Sequence, residues 1–360
     1  MKVKIYGAGS IGCHLAYSCR RAGMNVFVVD IDKAALGRMK NDVYPTRYGR
    51  WDDEIELSEQ DLINVPWDLV IIGTPPDSHL DIAIKVLSKE GAKAILIEKP
   101  LAPPDLNKIL LFKKNIENSK VKIFIGYNHT LTKNTQMMTE LIAEKDFGNT
   151  KNINVFFKEH WKGIFAAHPW LSGPKESYLG NVSRGGGAVC EHSHGINLFQ
   201  YISRLTKNGR ISEVFATASM VKDDGVYYDE LTQINVTTES GMKGHIQQDV
   251  VTCPAIKKAM IQFEKGQINW FVNKAKGIDS VAYTLNGTES VRDIEKTRPD
   301  DFHCEISHIR DVLNGKLSYE ESPINIKNGI DTAIVLCSVF HSIKEQTAIK
   351  ISYEGERNEQ

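Results

Sequence analysis

The sequence predicts an α/β protein of two domains, in which a doubly wound parallel sheet is followed by an α+β domain with a large, open, mostly antiparallel sheet. Two observations predict this class. In the first 126 residues, short β-rich runs alternate with helical stretches, whereas the later part contains strand candidates in direct succession. The length of 360 residues also suits two domains of ~100–200 residues better than one core.

The N-terminal strand candidates are continuous runs of Val, Ile and Leu. They cover residues 3–6, 26–30, 69–73, 94–98 and 121–126. Helical segments are predicted at 11–22, 33–39, 78–89 and 105–118. Because apolar strands separated by helices indicate a parallel sheet covered on both faces, we predict domain boundaries of 1–126 and 127–360.

The C-terminal part begins with a predicted helix at 133–144, a strand at 152–159, a loop rich in Trp, Pro, Gly and Ser at 161–187, and one helix at 189–205. Strands follow at 213–222, 231–238, 243–251, 257–263, 267–272 and 281–285. Helices at 301–313 and 327–345 precede a last strand at 349–352. Apolar side chains alternate along the strands, at Val214, Ala216, Ile234, Val236 and Ile246. Alternation of this kind indicates a sheet with two different faces, one of them covered by helices.

Composition and charge exclude several classes of protein. Apolar residues make up 41% and charged residues 25% of the chain, values typical of a folded globular protein. The 44 basic residues are matched by 45 acidic ones, so no positive field attracts nucleic acid or an anionic membrane surface. No apolar run approaches the roughly 20 residues of a membrane helix, and the six cysteines form no C-x-x-C pair. We therefore expect a cytoplasmic protein with reduced thiols, without nucleic-acid or membrane partners.

A glycine-rich turn follows the first predicted strand. Residues 7–12 read GAGSIG, a G-x-G-x-x-G that stands between a strand and a helix, as dinucleotide binding requires. Gly7 permits a tight turn, Gly9 lets backbone approach a pyrophosphate, and Gly12 lets helix and strand pack closely. The helix start then faces the phosphates with its N–H groups. The predicted cofactor contacts of this turn are Gly7, Gly9, Ser10, Ile11 and Gly12.

The cofactor type is predicted from the end of the second strand. Asp30 stands about 20 residues beyond the turn, where a carboxylate accepts hydrogen bonds from ribose hydroxyls. That carboxylate repels a 2′-phosphate, and Ile31 supplies no arginine to offset the repulsion. NAD is therefore favoured over NADP, although Lys33 keeps NADP as an alternative. A glycine turn without any dinucleotide is the other alternative.

Further motifs follow in order along the chain. They read TPPDSH at 74–79, EKP at 98–100, GYN at 126–128, GGG at 185–187 and EHSHGIN at 191–197. With them, the chain resembles the glucose–fructose oxidoreductase / inositol dehydrogenase family (Gfo/Idh/MocA) over essentially its whole length. The resemblance implies an N-terminal Rossmann domain, a C-terminal α/β domain on an open sheet, and hydride transfer between a nicotinamide cofactor and a carbohydrate-like substrate. It also implies pairing through the open sheet, as a homodimer or homotetramer.

The resemblance extends the cofactor site and supplies a catalytic lysine. The implied cofactor contacts are Thr74, Pro75, His79, Glu98 and Asn128. Lys99 matches the lysine of the E-K-P motif, which is a catalytic-site residue in the family. It follows an apolar strand and therefore emerges at the carboxyl edge of a buried parallel sheet, where ligands bind. A surface lysine that only caps the strand is the alternative.

The histidine-rich run is expected to supply the second catalytic residue. On one continuous helix, Glu191, His194 and Asn197 share a face, and His192 points elsewhere. The resemblance favours His194 as the residue that transfers a proton, and an ordinary histidine pKa of about 6.5 suits exchange with an alcohol. A metal site at His192 and His194 is disfavoured, because these side chains would diverge by ~200° around the helix. A purely structural His194 is the other alternative.

One departure from the family bears on the substrate. The family often carries an arginine two residues after the asparagine of its G-[FY]-N motif, where this chain has Thr130. Replacement contacts are sought in the loop before the glycine triplet, at Lys162, His168, Trp170 and Arg184. Trp161 and Trp170 are candidates for stacking on a sugar, with simple packing as the equal alternative. The predicted substrate contacts are Lys99, Glu191, His194, Asn197, Trp170 and Arg184.

These residues together favour an NAD-dependent dehydrogenase or reductase. Its substrate is expected to be a hydroxyl or keto carbon of a sugar, cyclitol or nucleotide-linked sugar. Lys99 would polarise the oxygen, and His194 would move the proton, with Glu191 or Asn197 orienting the imidazole. A non-catalytic NAD sensor of the same fold is one alternative. Imine reduction or redox-assisted elimination on a sugar is the other.

Overall fold

The computed structural model describes residues 1–62, 65–89, 91–166, 168, 170–223 and 225–354. Contacts within the chain define two units. The first contains Met1–Ala102, Leu111–Asn128 and Arg298–Gly329, and the second contains the rest of the chain. The N-terminal part of the first unit therefore ends near the boundary predicted at residue 126. The unit also includes a later segment that begins at Arg298, and no local pattern in the sequence indicates this.

The first unit is built on a six-stranded parallel sheet. Its strands are β1 (Lys2–Tyr6), β2 (Asn25–Val29), β3 (Ile55–Ser58), β4 (Trp67–Ile72), β5 (Ala92–Ile97) and β6 (Lys122–Ile125). The strand order is β3-β2-β1-β4-β5-β6, and every neighbouring pair is parallel. The order reverses between β1 and β4, and ligands of doubly wound sheets bind at the carboxyl ends of the strands beside such a reversal. The predicted fold class of this part is confirmed.

Helices connect these strands. They are α1 (Ser10–Arg21), α2 (Lys33–Arg38), α3 (Tyr44–Tyr48), α4 (His79–Lys89) and α5 (Leu106–Ile116), with a π-helical turn at Met39–Val43. The core strands carry Val, Ile and Leu because helices cover them: Ile5, Leu69 and Ile95 are fully buried. The sequence predicted neither α3 nor β3, because a five-residue helix and a four-residue strand with one buried position show little periodicity.

The returning segment completes the first unit. Helix α10 (Arg298–Leu313) packs against α1, where the ring of Phe302 stacks on His14 with centroids 4.8 Å apart. Farther along, the Ile125 amide donates to the Ile324 carbonyl at 2.9 Å. The Tyr319 hydroxyl donates to the Ile123 carbonyl at 2.8 Å. These bonds cover the outer edge of β6, an edge that would otherwise present unpaired backbone groups.

The second unit is built on a nine-stranded sheet. Its strands are β7 (Thr150–Lys158), β8 (Ile211–Asp223), β9 (Val226–Thr238), β10 (Lys243–Asp249), β11 (Ile256–Phe263), β12 (Gly266–Ala275), β13 (Ile278–Leu285), β14 (Thr288–Glu295) and β15 (Ile349–Lys350). The order is β14-β13-β12-β11-β7-β10-β9-β8-β15. Neighbours are antiparallel except for β7 and β10, so the predicted mostly antiparallel sheet is confirmed.

Helices lie on one face of this sheet. The remaining helices are α6 (Lys133–Glu144), α7 (Trp161–Ala166), α8 (Ala188–Glu191), α9 (His194–Leu205) and α11 (Ile326–Glu345). Helix α9 packs on β7 and β10, and α6 packs on β12 and β13. The alternating apolar residues of the sequence all lie buried in the sheet, as Val214, Ala216, Ile234, Val236 and Ile246. Among the helices within the described ranges, none has the length and apolar character needed to cross a bilayer.

Candidate functional site

The glycine turn between β1 and α1 leaves space on one side only. Gly7 has a φ of +101°, and a Cβ there would lie 2.7 Å from the Gly73 carbonyl oxygen. A Cβ at Gly12 would lie 2.0 Å from the Gly7 carbonyl oxygen. At Gly9, no atom of the described residues lies within 4 Å of a Cβ. Protein packing therefore requires glycine at two positions, whereas the third faces an open cradle of the kind a dinucleotide fills.

Asp30 connects the glycine turn to the start of α2. Its Oδ2 accepts from the Ala8 amide at 2.8 Å, and its Oδ1 accepts from the Asp32 amide at 2.9 Å. The carboxylate is thus held at the end of β2, where the sequence predicted it. The neighbouring side chain of Ile31 is 96% exposed, an apolar surface beside the carboxylate.

His79 holds the loops after β4 and β5 together. Its Nε2 lies 2.8 Å from the Thr74 carbonyl oxygen and its Nδ1 lies 3.0 Å from the Pro100 carbonyl oxygen. The ring is fully buried, and burial lowers its pKa despite these two carbonyl contacts. His79 is therefore enclosed between the two loops and holds them in place, whereas Thr74 is half-buried and Pro75 is exposed on the first of them.

Glu98 and Lys99 follow β5 at the carboxyl edge of the sheet. A Cβ at Gly126 would lie 2.9 Å from a Glu98 carboxyl oxygen, so that glycine makes room for the carboxylate. Lys99 is half-buried directly beyond it. On helix α10, Glu305 is fully buried. Its pKa is raised well above the ordinary value, mainly by burial and secondly by the negative charge of Glu98. Asn128, the last predicted cofactor contact, is buried just beyond β6.

The glycine triplet of the second unit precedes helix α8 in a packed turn. Gly187 has a φ of +88°, and a Cβ there would lie 2.2 Å from Oδ1 of Asp229. A Cβ at Gly186 would lie 2.3 Å from the Tyr178 carbonyl oxygen. The buried Asp229 carboxylate accepts from the Val189 amide at 2.9 Å and from the Thr232 hydroxyl at 2.8 Å. It thereby caps the start of α8, because a carboxylate satisfies the N–H groups of a helix N-terminus.

The predicted single helix at 189–205 is wrong. Helix α8 ends at Glu191, and α9 begins at His194 after a break at His192 and Ser193. The Gln248 side-chain amide donates to the His192 carbonyl oxygen, and the Gly195 amide donates to the same oxygen at 2.8 Å. This carbonyl is turned out of the α8 hydrogen-bond pattern, so the continuous helical face expected for Glu191, His194 and Asn197 does not exist.

His194 lies at the start of α9 among aromatic rings. It is half-buried, its ring meets the ring of His129 edge to face with centroids 4.6 Å apart, and it lies over Phe157 at 6.2 Å. His129 also contacts Trp270 edge to face. The sequence did not indicate His129 as a neighbour of His194, because β7 and the fold of the second unit bring them together.

The other predicted substrate contacts fall in different surroundings. Asn197 is buried, and its amide donates to the Thr332 hydroxyl at 3.0 Å. This corrects the expectation that Asn197 contacts substrate, because its amide bonds to α11 in the interior. Glu191 is half-buried at the end of α8. Arg184 is exposed in a short turn before the glycine triplet.

The two loop tryptophans differ in their packing. Trp161 lies in an apolar cluster, with its ring 5.6 Å from that of Tyr228 and its Nε1 3.3 Å from the Tyr228 hydroxyl. These contacts favour the packing alternative for Trp161. Trp170 is half-buried and meets the ring of His168 edge to face at 5.5 Å. Trp170 therefore stays a candidate for substrate contact. In the part of the chain that the structure describes, no three His, Cys, Asp or Glu side chains are grouped to hold a metal ion.

Comparison with known protein families gives a match to the N-terminal part of the chain. Residues 1–127 match the model of an oxidoreductase family with an NAD-binding Rossmann fold, Gfo/Idh/MocA. The matched stretch contains all six strands of the parallel sheet and the glycine turn. The resemblance predicted from the motifs is thus confirmed, as is the prediction of an NAD-binding domain, and the glycine turn with Asp30 fits that cofactor.

Individual relatives extend the comparison. A stretch of 161 residues is 27% identical to glucose-6-phosphate 3-dehydrogenase of Bacillus subtilis and covers 44% of this chain and 43% of that protein. The match thus spans less than half of the relative's length. An NAD binding oxidoreductase from Klebsiella pneumoniae aligns with 98% of this chain and 99% of its own at a TM-score of 0.74 and 15% identity.

A third protein shares the fold over the same extent. The WlbA dehydrogenase from Bordetella pertussis, solved with NADH and UDP-GlcNAcA, aligns with 98% of this chain and 99% of its own. The TM-score is 0.70 and the identity 15%, which establishes likeness of fold. The likeness of fold to these solved structures therefore covers nearly the whole chain, with residues of both units included.

Substitution of two glycines in the turn should separate packing from cofactor binding. Gly9→Ala should leave the free energy of unfolding almost unchanged, since its Cβ enters open space, yet raise the NADH Kd about tenfold or more by blocking close approach. Gly12→Ala should lower the free energy of unfolding by about 2 kcal/mol or more, because its Cβ meets backbone. Urea unfolding and NADH fluorescence titration measure both. Equal effects of the two variants on stability would contradict this assignment of roles.

Asp229 should make stability depend on pH near neutrality. Burial raises its pKa from 3.8 to about 7, against the opposing bonds from Thr232 and Val189. Because the folded pKa exceeds the unfolded one, the folded state binds more protons between these values. The contribution of Asp229 to the free energy of unfolding therefore falls as the pH rises from about 4 to about 7. Asp229→Asn should flatten this part of the pH profile, measured by urea unfolding. Parallel profiles of variant and wild type would show that Asp229 does not titrate in this range.

Proposed function

We propose that this protein is an NAD-dependent dehydrogenase or reductase that acts on a hydroxyl or keto carbon of a sugar, cyclitol or nucleotide-linked sugar. The observation that carries the proposal is the position of Lys99, half-buried at the carboxyl end of β5 in the domain that bears the NAD-binding turn. The sheet order separates β5 from β1 by one strand, so lysine and turn share one edge, roughly 10 Å apart at ~4.8 Å per strand.

Residues of the first unit suit each part of the dinucleotide. The open cradle at Gly9 receives the pyrophosphate, and the fixed Asp30 carboxylate accepts from the adenosine ribose, which favours NAD over NADP. The exposed Ile31 offers an apolar surface to the adenine ring. Thr74, Pro75, Glu98 and Asn128 would line the remainder of the site. When bound, the nicotinamide ring accepts or donates a hydride.

Lys99 would act on the substrate oxygen. Its ammonium group donates hydrogen bonds and stabilises negative charge on an oxygen as a proton leaves or before one arrives. Glu98 directly precedes Lys99 in the sequence. The loop that carries Lys99 is fixed by the bond between His79 and the Pro100 carbonyl. That support limits the positions the lysine can adopt, which favours catalysis.

His194 is the proposed residue for transfer of the substrate proton. A histidine exchanges protons near neutral pH, and the ring is held by edge-to-face contact with His129 and by Phe157 beneath it. In oxidation it accepts the hydroxyl proton, and in reduction it returns one to the keto oxygen. Glu191 and Trp170 are proposed substrate contacts, together with Arg184.

The substrate class follows from the relatives and from the loop before the glycine triplet. The named activities and ligands of the relatives are a phosphorylated sugar and a nucleotide-linked sugar acid, both anionic. In this chain the arginine often found after the G-[FY]-N motif is replaced by Thr130. We propose that the exposed Arg184 and Lys162 meet an anionic group and that Trp170 packs on a sugar ring.

Substitution of the two catalytic candidates tests the proposal. Lys99→Ala and His194→Ala should each lower kcat about 100-fold or more while changing the NADH Kd by less than about twofold. The exposed His341, replaced by Ala, is the matched control and should retain full activity. Wild type is first assayed for NADH absorbance change against sugar phosphates, cyclitols and nucleotide sugars.

The outcomes separate the candidate activities. NADH binding without turnover of any compound would favour a non-catalytic NAD sensor. Redox-assisted elimination regenerates the cofactor. Product formation without a net change in NADH absorbance would therefore favour it, and deuterium from a labelled cofactor would show whether a hydride is transferred during the reaction. Normal turnover by His194→Ala would disprove the assigned proton path.

We further propose that the chain forms a homodimer or homotetramer through the sheet face opposite the helices. On that face, Phe156 is half-buried beside His245, and the Lys258 ammonium lies 5.0 Å from its ring centroid. Light scattering at micromolar concentration should give at least a dimeric mass, and Phe156→Glu should lower it. Leu111→Glu, on the exposed side of α5, is the control. A monomeric wild type would contradict this proposal. The cytoplasmic location stays a prediction.

A further inference from the structure

Arg47 contacts the glycine turn from a segment that the sequence pattern did not connect with it. Its Nη1 donates to the Ser10 carbonyl oxygen at 2.9 Å, and its Nη2 donates to the Ser10 hydroxyl at 2.8 Å. Ser10 is the first residue of α1 and directly follows Gly9. The guanidinium is therefore fixed against the residue that follows Gly9.

The segment that carries Arg47 is held firmly against α1. The ring of Tyr48 stacks on that of Tyr17 with centroids 3.7 Å apart, and the Tyr48 hydroxyl bonds to Nδ1 of His14. Tyr44 is buried and meets Tyr17 edge to face. Because both flanking tyrosines are anchored on α1, the position of Arg47 is set before any ligand binds, which lowers the entropic cost of an ordered contact.

The chemistry of this pair suits a phosphate. Guanidinium groups recognise phosphate oxygens through charge-assisted hydrogen bonds, and the positive charge of Arg47 adds to the partial charge at the start of α1. The Ser10 hydroxyl, which accepts from Nη2, keeps its own proton to donate. Arg47 also lies beside the thiol of Cys13, whose pKa burial raises to about 11 while the nearby guanidinium lowers it.

We propose that Arg47 is a phosphate-binding residue of the dinucleotide site, which neutralises the pyrophosphate and aims the Ser10 hydroxyl at it. The proposal rests on the proposed function, since it requires the glycine turn to bind NAD. It adds a charged side chain to a site that otherwise meets the pyrophosphate with backbone groups and a helix dipole.

Ligands with and without phosphates test this assignment. Kd values are measured by NADH fluorescence, and by its competition with ADP-ribose and with adenosine, for wild type, Arg47→Gln, Arg47→Lys and Arg50→Gln. Arg50 is exposed in the same segment and serves as the matched control. Arg47→Gln should weaken NADH and ADP-ribose roughly 10- to 100-fold, with adenosine unchanged within about twofold. It should also make the NADH Kd less sensitive to added KCl.

The lysine variant separates the charge of Arg47 from its structural contacts. Arg47→Lys should retain the salt dependence and part of the affinity, which also decides the matter if Arg47→Gln fails to fold. Equal weakening of adenosine and ADP-ribose by Arg47→Gln would overturn the proposal and show that Arg47 only braces the turn. Wild-type affinity for NADH in the variant would overturn it as well. Failure of wild type to bind NADH would instead refute the proposed function itself.

Discussion

The close approach of β1, α1 and β4 at the glycine turn is the constraint on which the nucleotide site depends. Gly7 and Gly12 bring backbone against backbone, and that contact fixes the direction in which α1 leaves the sheet. The helix start, Gly9 and the Asp30 carboxylate then take their places, since Asp30 bonds to the turn through the Ala8 amide. A shift at this contact would displace Gly9, the start of α1 and the Asp30 carboxylate together.

In the second unit, a buried carboxylate holds the start of a helix. There, the glycine triplet lets Asp229 reach the first amides of α8, and the break after Glu191 redirects the chain so that His194 begins a new helix. In both units a glycine turn precedes a helix. In the first, no atom of the described residues lies within 4 Å of a Cβ at Gly9, and in the second a carboxylate of the protein reaches the helix start. The first turn thus leaves room for a ligand, whereas the space at the second is filled by the protein itself.

Sequence predicted the buried parallel strands to within two residues, because short continuous runs of Val, Ile and Leu between helical segments are typical of strands covered on both faces. It located the cofactor turn and Lys99 for the same reason, since both sit directly beyond such runs. It failed at the break between Glu191 and His194, where neither glycine nor proline marks the interruption. His129 and Arg47 were missed because long-range contacts, rather than any local period, bring them to His194 and Ser10. Strand β3 was missed because a single buried position carries no pattern.

The return of Arg298–Gly329 to the first unit has a consequence for biosynthesis. Helix α10 packs on α1, where Phe302 stacks on His14, and the Ile324 carbonyl accepts from the Ile125 amide at the edge of β6. A nascent chain that has emerged only as far as Asn128 therefore holds all six strands of the sheet but exposes an apolar side of α1 and an open edge. The first unit therefore reaches its final form only after the chain has been synthesised through Gly329, by which point most of the second unit has also been made.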